Sequence, residues 1–345
     1  MNFASDNTGS VAPEIMAALD AVNRGPAMPY GNDATTQRLA QKFKDLFETD
    51  LAVFPVATGT AANVLGLSLV TPPYGAIYCL AASHINGDEC GAPEFYTGGA
   101  KLVTLTGAHG KLLPRELDEA VRRAGNGVVH HVQPAAVSIT QASEAGTIYR
   151  VAEIEALAEV AQRHKLALHM DGARFGNAVA ALNCKPADVT WRAGVDILSF
   201  GATKNGAMAA EAVVVFKPEL AVTLGFRRKR AGHLFSKMRY LSAQLDAYVT
   251  DGLWLRLAGH ANGAMRTLAD GLVGIDGVRL LYPADANMLF AELPRRCIAA
   301  LKKAGFVFYE IDDTGPNGIL VRLVTSFNTD PAHVAAFVGT ARDAR

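Results

Sequence analysis

The sequence predicts an α/β fold: a large domain on a mostly parallel sheet, followed by a smaller carboxyl-terminal α+β domain. Three observations carry this reading. Short apolar runs bounded by turn formers alternate with stretches of helical period over the first two-thirds of the chain. Two of those runs, Leu166 to Asp171 and Ile197 to Gly201, leave room between them for one crossover helix, as parallel neighbours require. After a break at Gly271 to Pro283 the pattern changes to strands near Met288 to Leu293, Phe306 to Tyr309 and Gly318 to Thr325, with one helix near Arg295 to Ala304. The chain is divided accordingly into an arm at 1–25, a large domain at 26–255 and a small one at 256–345.

Taken in order, the first 30 residues mix turn formers with an amphipathic helix at Pro13 to Val22, then pass through the proline-rich Arg24 to Gly31. Such an arm packs against another surface. A helix from Asp33 to Phe47, with Thr35 or Thr36 near its start, turns Leu39, Phe43, Leu46 and Phe47 toward the core. A strand from Leu51 then runs into Thr58-Gly59-Thr60 and an apolar helix through Leu69. Small residues at a helix start expose backbone amides to an anion, and the helix dipole adds to the attraction. They also serve close packing, and both readings are open. The stretch is not a Walker or dinucleotide fingerprint, because the required glycines and lysine are missing.

A strand near Ala76 to Ala81 ends at His84, which suits contact with a planar ring, proton transfer or a helix cap. Asp88, Glu89 and Glu94 follow as candidates for substrate contact. Next come a strand at Lys101 to Leu105, a helix at Pro114 to Ala124, a strand at Val128 to Val132 and another from Ala136 into the loop Gln141 to Gly146. The helix Val151 to His164, apolar at Ile154, Leu157, Ala158 and Ala161, feeds the strand that ends in Asp171.

Asp171 and Lys204 each close an apolar strand, and ligands of open α/β sheets gather beyond the carboxyl ends of the strands. The two side chains therefore share one mouth. A lone lysine there faces solvent, and a lone aspartate forms a turn. Together they suit pyridoxal 5'-phosphate, which needs an amine for a Schiff base and a carboxylate to keep its pyridinium nitrogen protonated. Phe200, Gly201, Ala202, Gly206, Ala207 and Met208 surround Lys204 in sequence, an apolar setting that disfavours the ammonium and frees the amine for attack.

Beyond Lys204 lie a returning strand at Ala212 to Phe216 and the basic run Arg227 to Arg230, read either as a solvated helix face or as a contact to a cofactor phosphate or neighbouring subunit. A long helix at Ser236 to Leu257 contains Arg239. Arg322 interrupts an apolar strand, where a guanidinium is costly unless paired. A substrate carboxylate, or water at a sheet edge, would satisfy it.

Half the residues are hydrophobic, enough for a large core, and 33 basic residues balance 33 acidic ones. That balance offers no field to nucleic acid or an anionic membrane. Cys79, Cys90, Cys184 and Cys297 have neither metal-type spacing nor disulfide density, so reduced thiols and no metal are expected. The first eight residues lack the basic start and apolar run of an export signal, and Pro55, Gly59 and Asn63 interrupt the apolar stretch Leu51 to Val70. A soluble cytoplasmic protein is the expectation.

Ser5-Asp6-Asn7-Thr8, Tyr30-Gly-Asn-Asp33, Thr58-Gly-Thr-Ala-Ala-Asn63, Leu168-His-Met-Asp-Gly-Ala-Arg174, Ser199-Phe-Gly-Ala-Thr-Lys204 and Val321-Arg-Leu-Val324 occur in an order that resembles the low-specificity L-threonine aldolases. These are pyridoxal-phosphate enzymes of fold type I, and the resemblance covers nearly the whole chain. It implies the fold-type I transferase fold with a mostly parallel seven-stranded sheet, and retro-aldol cleavage of L-threonine, L-allo-threonine and related β-hydroxy-α-amino acids to glycine and an aldehyde. It implies that Lys204 carries the Schiff base, Asp171 holds the pyridinium nitrogen and Arg174 lies beside the phenolic oxygen. Gly59 and Thr60 would bind phosphate and His84 would stack on the ring, with Lys204, His84 and Asp171 as the catalytic set. Arg322, Ser5, Tyr30 and Arg174 would meet the substrate. Tyr30, with Arg230 or Arg239, would serve a partner's site in a homotetramer built as a dimer of dimers. Some members carry a second histidine where this chain has Gln141-Ala-Ser143-Glu144, so the base for the β-hydroxyl is left open among His84, a loop carboxylate and a held water. Another fold-type I reaction, such as transamination or β-elimination, would use the same lysine and aspartate, and a catalytically silent binding protein would keep the fold alone.

Overall fold

The short apolar runs become strands buried on both faces, and the periodic stretches become the helices that cover them. The computed structural model describes residues 1–344. In chain order come α1 (Pro13–Val22), α2 (Ala34–Phe47), β1 (Ala52–Val56), α3 (Gly59–Val70), β2 (Gly75–Leu80), α4 (His84–Gly87), α5 (Ala92–Thr97) and β3 (Lys101–Leu105). A small hairpin of β4 (Gly107–Ala108) and β5 (Lys111–Leu112) leads to α6 (Pro114–Arg123), β6 (Gln133–Thr140), α7 (Val151–Arg163), β7 (Ala167–Gly172) and α8 (Phe175–Leu182). Then come β8 (Ile197–Gly201), β9 (Glu211–Val215), α9 (Leu224–Arg230), α10 (Arg239–Val249) and α11 (Leu253–Leu272). The carboxyl-terminal part holds β10 (Arg279–Leu280), β11 (Met288–Leu293), α12 (Arg295–Lys303), β12 (Tyr309–Asp313), β13 (Ile319–Val324) and α13 (Pro331–Asp343).

The seven-stranded sheet has the order β1-β9-β8-β7-β6-β2-β3. Only β9 runs antiparallel to its neighbours. Strands β2, β8 and β9 are buried along their whole length, which is why they read as continuous apolar runs rather than alternating ones. An aromatic cluster of Phe43, Phe47, Phe175, Phe200, Tyr248 and Trp254 packs α2, α8, α10 and α11 against this sheet. Within it Phe175 and Trp254 stack with centroids 6.1 Å apart. His169 on β7 lies between two serines, with Nδ1 2.9 Å from Ser138 Oγ and Nε2 3.0 Å from Ser199 Oγ. Burial pulls its pKa down to about 4, so it is a neutral pin across three strands.

A second, four-stranded sheet has the order β10-β11-β13-β12 and its own core. The amino-terminal arm is built into it. Phe3 accepts from the Val324 amide and donates to Val307 O, both at 2.8 Å, while its ring meets Phe337 edge-on at 5.2 Å. That anchoring fixes Ser5, Asp6 and Asn7 over the edge of the large sheet. Among the described residues no helix is long and apolar enough to cross a membrane.

Three expectations are corrected. Val128 to Val132 is a turn rather than a strand, with Val129 92% exposed. The Gln133 side chain organises it, accepting from the Gly127 amide at 2.7 Å and donating to Val128 O and His131 O, so the strand begins only at Gln133. The strand expected at Phe306 to Tyr309 lies instead at β12, whose five residues are all exposed, while Val307 bridges to Asn2. The helix expected over Ser236 to Leu257 is two helices, broken where Asp251 and Gly252 take φ of 49° and 68°. Strands β4, β5 and β10, of two residues each, are too short to show a period in the sequence.

Candidate active site

Parallel strands deliver their carboxyl ends to one edge, and the functional side chains collect there. Asp171 is the penultimate residue of β7, Lys204 lies just beyond β8, and these strands are paired, with Asp171 opposite Ser199. Because β9 is antiparallel, its first residue, Glu211, reaches the same edge opposite Gly201. Two adjoining cavities open here. The inner one, about 410 Å³, is lined by Thr58, Gly59, Thr60, Asn63, Asp171 and Lys204 among others. The outer one, about 790 Å³, runs between the two sheets past Ser5, Arg322, Tyr282 and Phe290. Asn7, His84, Glu144, Arg174 and Lys204 line both.

Two donors face the Asp171 carboxylate: Asn63 Nδ2 at 2.9 Å from Oδ2 and the Ala173 amide at 3.0 Å from Oδ1. The Lys204 amine is displaced toward its neutral form by the Arg174 charge and then by burial, with Asp6, Asp171 and Glu211 opposing. Glu211 accepts from the Ala202 and Thr203 amides at 3.1 and 3.4 Å, shaping the turn that carries Lys204. Burial pushes its pKa up to about 7.

At the start of α3, Thr58 Oγ1 accepts from the Ala61 amide and Thr58 O from the Ala62 amide, both at 3.1 Å. The amides of Gly59 and Thr60 are left at the open end of the helix. A side chain on Gly59 would meet no atom within 4 Å, so local packing does not explain the glycine. The space in front of it belongs to the inner cavity.

Arg174 forms a two-pronged pair with the buried Asp6, Nε to Oδ2 at 2.7 Å and Nη2 to Oδ1 at 3.1 Å. Burial alone would raise the Asp6 pKa, but the charges of Arg174 and Lys204 and bonds from Arg174 and Asn287 hold it below the ordinary value. Arg322 lies on β13, between β11 and β12, and pairs across to Phe290 and Tyr309. It is therefore not an edge residue. Its guanidinium sits 4.9 Å above the Tyr309 ring, its Nη2 donates to Ala4 O at 3.3 Å, and its Nε is buried without a partner among the described residues. Burial and then the Arg174 charge lower its pKa.

His84 opens α4 at the end of β2. Its Nδ1 lies 2.9 Å from Glu89 Oε1, and its backbone amide donates to Glu144 Oε1 at 2.8 Å. The bond to Glu89 raises the His84 pKa above the ordinary 6.5, against burial. Burial and then the Asp171 charge push the Glu144 carboxyl upward.

The structure thus gathers Lys204, Asp171, Gly59, Thr60, His84, Arg174, Ser5 and Arg322 around two adjoining cavities. Three residues lie elsewhere on the chain. Tyr30 is exposed with φ 58°, its ring 5.0 Å from Lys229 Nζ. Arg230 ends α9 on the surface, and Arg239 donates to Gly25 O at 3.0 Å. Within the basic run, Arg228 is buried against the Phe54 ring at 5.1 Å, so that run is not a uniformly solvated face. His130 and His131 precede β6, at the opposite edge of the sheet. Asp6, Asn63, Glu144 and Glu211 also take positions in the site, and no local motif announces Asp6, Glu144 or Glu211. Asn63 had a usable signal, because it lies one helical turn after Gly59; Glu211 had none.

A family model described as beta-eliminating lyase matches residues 2–294. A low specificity L-threonine aldolase of a Pseudomonas species is 42% identical over 332 residues, covering 96% of this chain and 94% of the relative. The protein of that name from Pseudomonas aeruginosa is also 42% identical, over 99% of this chain and 96% of its own. The solved structure of Leishmania major threonine aldolase superposes with a TM-score of 0.93 at 29% identity, covering 99% and 98% of the two chains. Sphingomonas wittichii serine palmitoyltransferase, at 17% identity and a TM-score of 0.73, shares the fold alone, covering 100% of this chain and 86% of its own. The mostly parallel seven-stranded sheet thus belongs to the fold of the fold-type I pyridoxal-phosphate enzymes. The match is carried through the strands that bear Asp171 and Lys204 as well as through the arm and the second sheet, and on that extent the chain belongs to the beta-eliminating lyase family, among the low-specificity L-threonine aldolases.

Proposed function

We propose that this chain is a pyridoxal 5'-phosphate-dependent aldehyde-lyase that cleaves L-threonine, L-allo-threonine and related β-hydroxy-α-amino acids to glycine and an aldehyde. The observation that carries this reading is an amine and a carboxylate at the ends of adjacent parallel strands in one cavity, with Arg322 on the wall of the next.

The donor set fits the cofactor. Lys204 supplies an amine displaced toward its neutral form, Asp171 a positioned carboxylate, and Gly59 and Thr60 free amides beside unfilled space. In this reading Lys204 would hold the cofactor covalently, Asp171 its ring nitrogen, Gly59 and Thr60 its phosphate, His84 its ring face and Arg174 its phenolic oxygen. When bound, the group supplies an electron sink for the pair released as the Cα–Cβ bond breaks.

Arg322 binds the substrate carboxylate, with Ser5 beside it and Arg174 across the cavity. The orphaned Nε of Arg322 supports this assignment, because a buried donor without a partner is satisfied by a planar carboxylate. The clamp orients the amino acid, and orientation decides which bond to Cα breaks. His84, on the wall of both cavities, takes the proton of the β-hydroxyl. Arg322→Ala is expected to raise KM for L-threonine by roughly 10- to 100-fold, the range of a lost charge-assisted hydrogen bond. Steady-state kinetics check it, and an unchanged KM would remove Arg322 from the substrate site.

Tyr30, Arg230 and Arg239 are assigned to a neighbouring subunit's site in a homotetramer. Their surface positions away from this protomer's own cavities support that assignment, and a monomeric mass by light scattering would contradict it. The family description favours one second reading, β-elimination, which would use the same lysine and aspartate. Products formed from L-threonine separate the two.

A further inference from the structure

We propose that Glu89 is a positioning residue that fixes the His84 ring with its proton on Nδ1, making Nε2 the atom that accepts the proton of the substrate's β-hydroxyl. The substrate in this statement rests on the aldolase reading; the tautomer rests on this chain's own geometry.

Glu89 lies between α4 and α5, just before Cys90 and Gly91, which take φ of 52° and 73° and turn the chain back on itself. That turn carries the carboxylate inward, and its side chain is fully buried. Glu89 Oε1 lies 2.9 Å from His84 Nδ1 and accepts from Asn63 Nδ2 at 2.9 Å. The same Asn63 nitrogen donates to Asp171 Oδ2 at 2.9 Å. A continuous chain therefore runs from His84 through Glu89 and Asn63 to Asp171, with one amide nitrogen locking both carboxylates. Glu89 Oε2 is buried without a partner among the described residues. A half-satisfied buried carboxylate costs stability, so packing alone does not account for it.

A carboxylate oxygen accepts, so the His84 nitrogen facing it donates, and in the neutral ring the lone pair falls on Nε2. The backbone is held as well, by Glu144 Oε1 at 2.8 Å. Glu89 and Asp171 favour the protonated ring, Lys204 and burial oppose it, and Asp88 and Glu144 stand on the same cavity wall. In the step this arrangement serves, the β-hydroxyl proton passes to Nε2 and the O–H pair becomes the second bond of the aldehyde carbonyl. The Cα–Cβ bond breaks with its pair left on the Cα fragment, and a proton delivered to Cα completes glycine. Nothing is oxidised or reduced.

The test is nitrogen NMR of the full-length protein, cofactor bound, carrying labelled histidine, with the His84 signals assigned by their absence in His84→Asn. Neutral His84 is expected to show a protonated Nδ1 and an unprotonated Nε2. Glu89→Gln keeps that tautomer, because the amide carbonyl still accepts, but lowers the His84 pKa by removing the charge that favours the protonated ring. The acid limb of kcat/KM should move to lower pH with it, while the plateau falls about tenfold as the base weakens and KM stays unchanged. Glu89→Ala removes the tautomer preference. A neutral wild-type ring protonated on Nε2, or a His84 pKa unmoved in Glu89→Gln, overturns the proposal, and the first needs no variant to fold. A protein that keeps the Nδ1 proton yet yields no glycine from threonine contradicts the aldolase reading and leaves the positioning role standing.

Discussion

Lys204→Ala is expected to lower L-threonine cleavage by on the order of 10³-fold or more, the scale of losing a residue on which the rest of a catalytic unit depends. The absorbance band near the visible edge that marks cofactor joined to a lysine should vanish from the same preparation. The fold should persist, because the Lys204 amine makes no hydrogen bond or ion pair with a described residue and lies on a cavity wall. An unchanged melting temperature checks that point. Retention of cleavage within tenfold of wild type would mean that another amine does the work.

Asp171→Asn should rank second, slowing kcat on the order of 10³-fold with little change in KM, comparable to removing one preorganised electrostatic group from an active site. The substitution keeps the shape and deletes the charge, so a cofactor ring nitrogen held there as proposed would lose the partner that keeps it protonated. A secondary effect follows from the local bonds. Asn63 Nδ2 and the Ala173 amide both donate to the aspartate, and an asparagine must turn its own NH₂ toward one of them. That clash is expected to cost about 1–3 kcal/mol of stability, read from the denaturant midpoint. A variant with normal kcat would place the pyridinium partner elsewhere.

The parts of the site that were legible in the sequence were those with local grammar. Asp171 and Lys204 each follow an unbroken apolar strand, and the small residues after β1 announce an open helix start. Asp6, Glu144 and Glu211 were obscure for a shared reason: each reaches the site through a loop return, an antiparallel strand or the arm's docking, and only long-range geometry sets these, while Glu89 was legible only as one of three loop acids. Arg322 shows the same limit. Its sequence allowed an edge strand, whereas the pairing of β13 with both β11 and β12 makes the strand central. The misread strand at Val128 to Val132 was apolar enough to mislead, because one glutamine side chain satisfies the backbone there and the valines need no sheet. Strand β12 is the reverse case, fully exposed and acidic, and held in the sheet by its neighbour's hydrogen bonds rather than by burial.

The most direct measurement is product analysis of purified protein, loaded with pyridoxal phosphate and given L-threonine, with L-allo-threonine and phenylserine in parallel. The roles proposed for Lys204, Asp171 and Arg322 lead to glycine and acetaldehyde in equal amounts from threonine. Release of 2-oxobutyrate and ammonia, or of a keto acid formed by amino-group transfer, would contradict them.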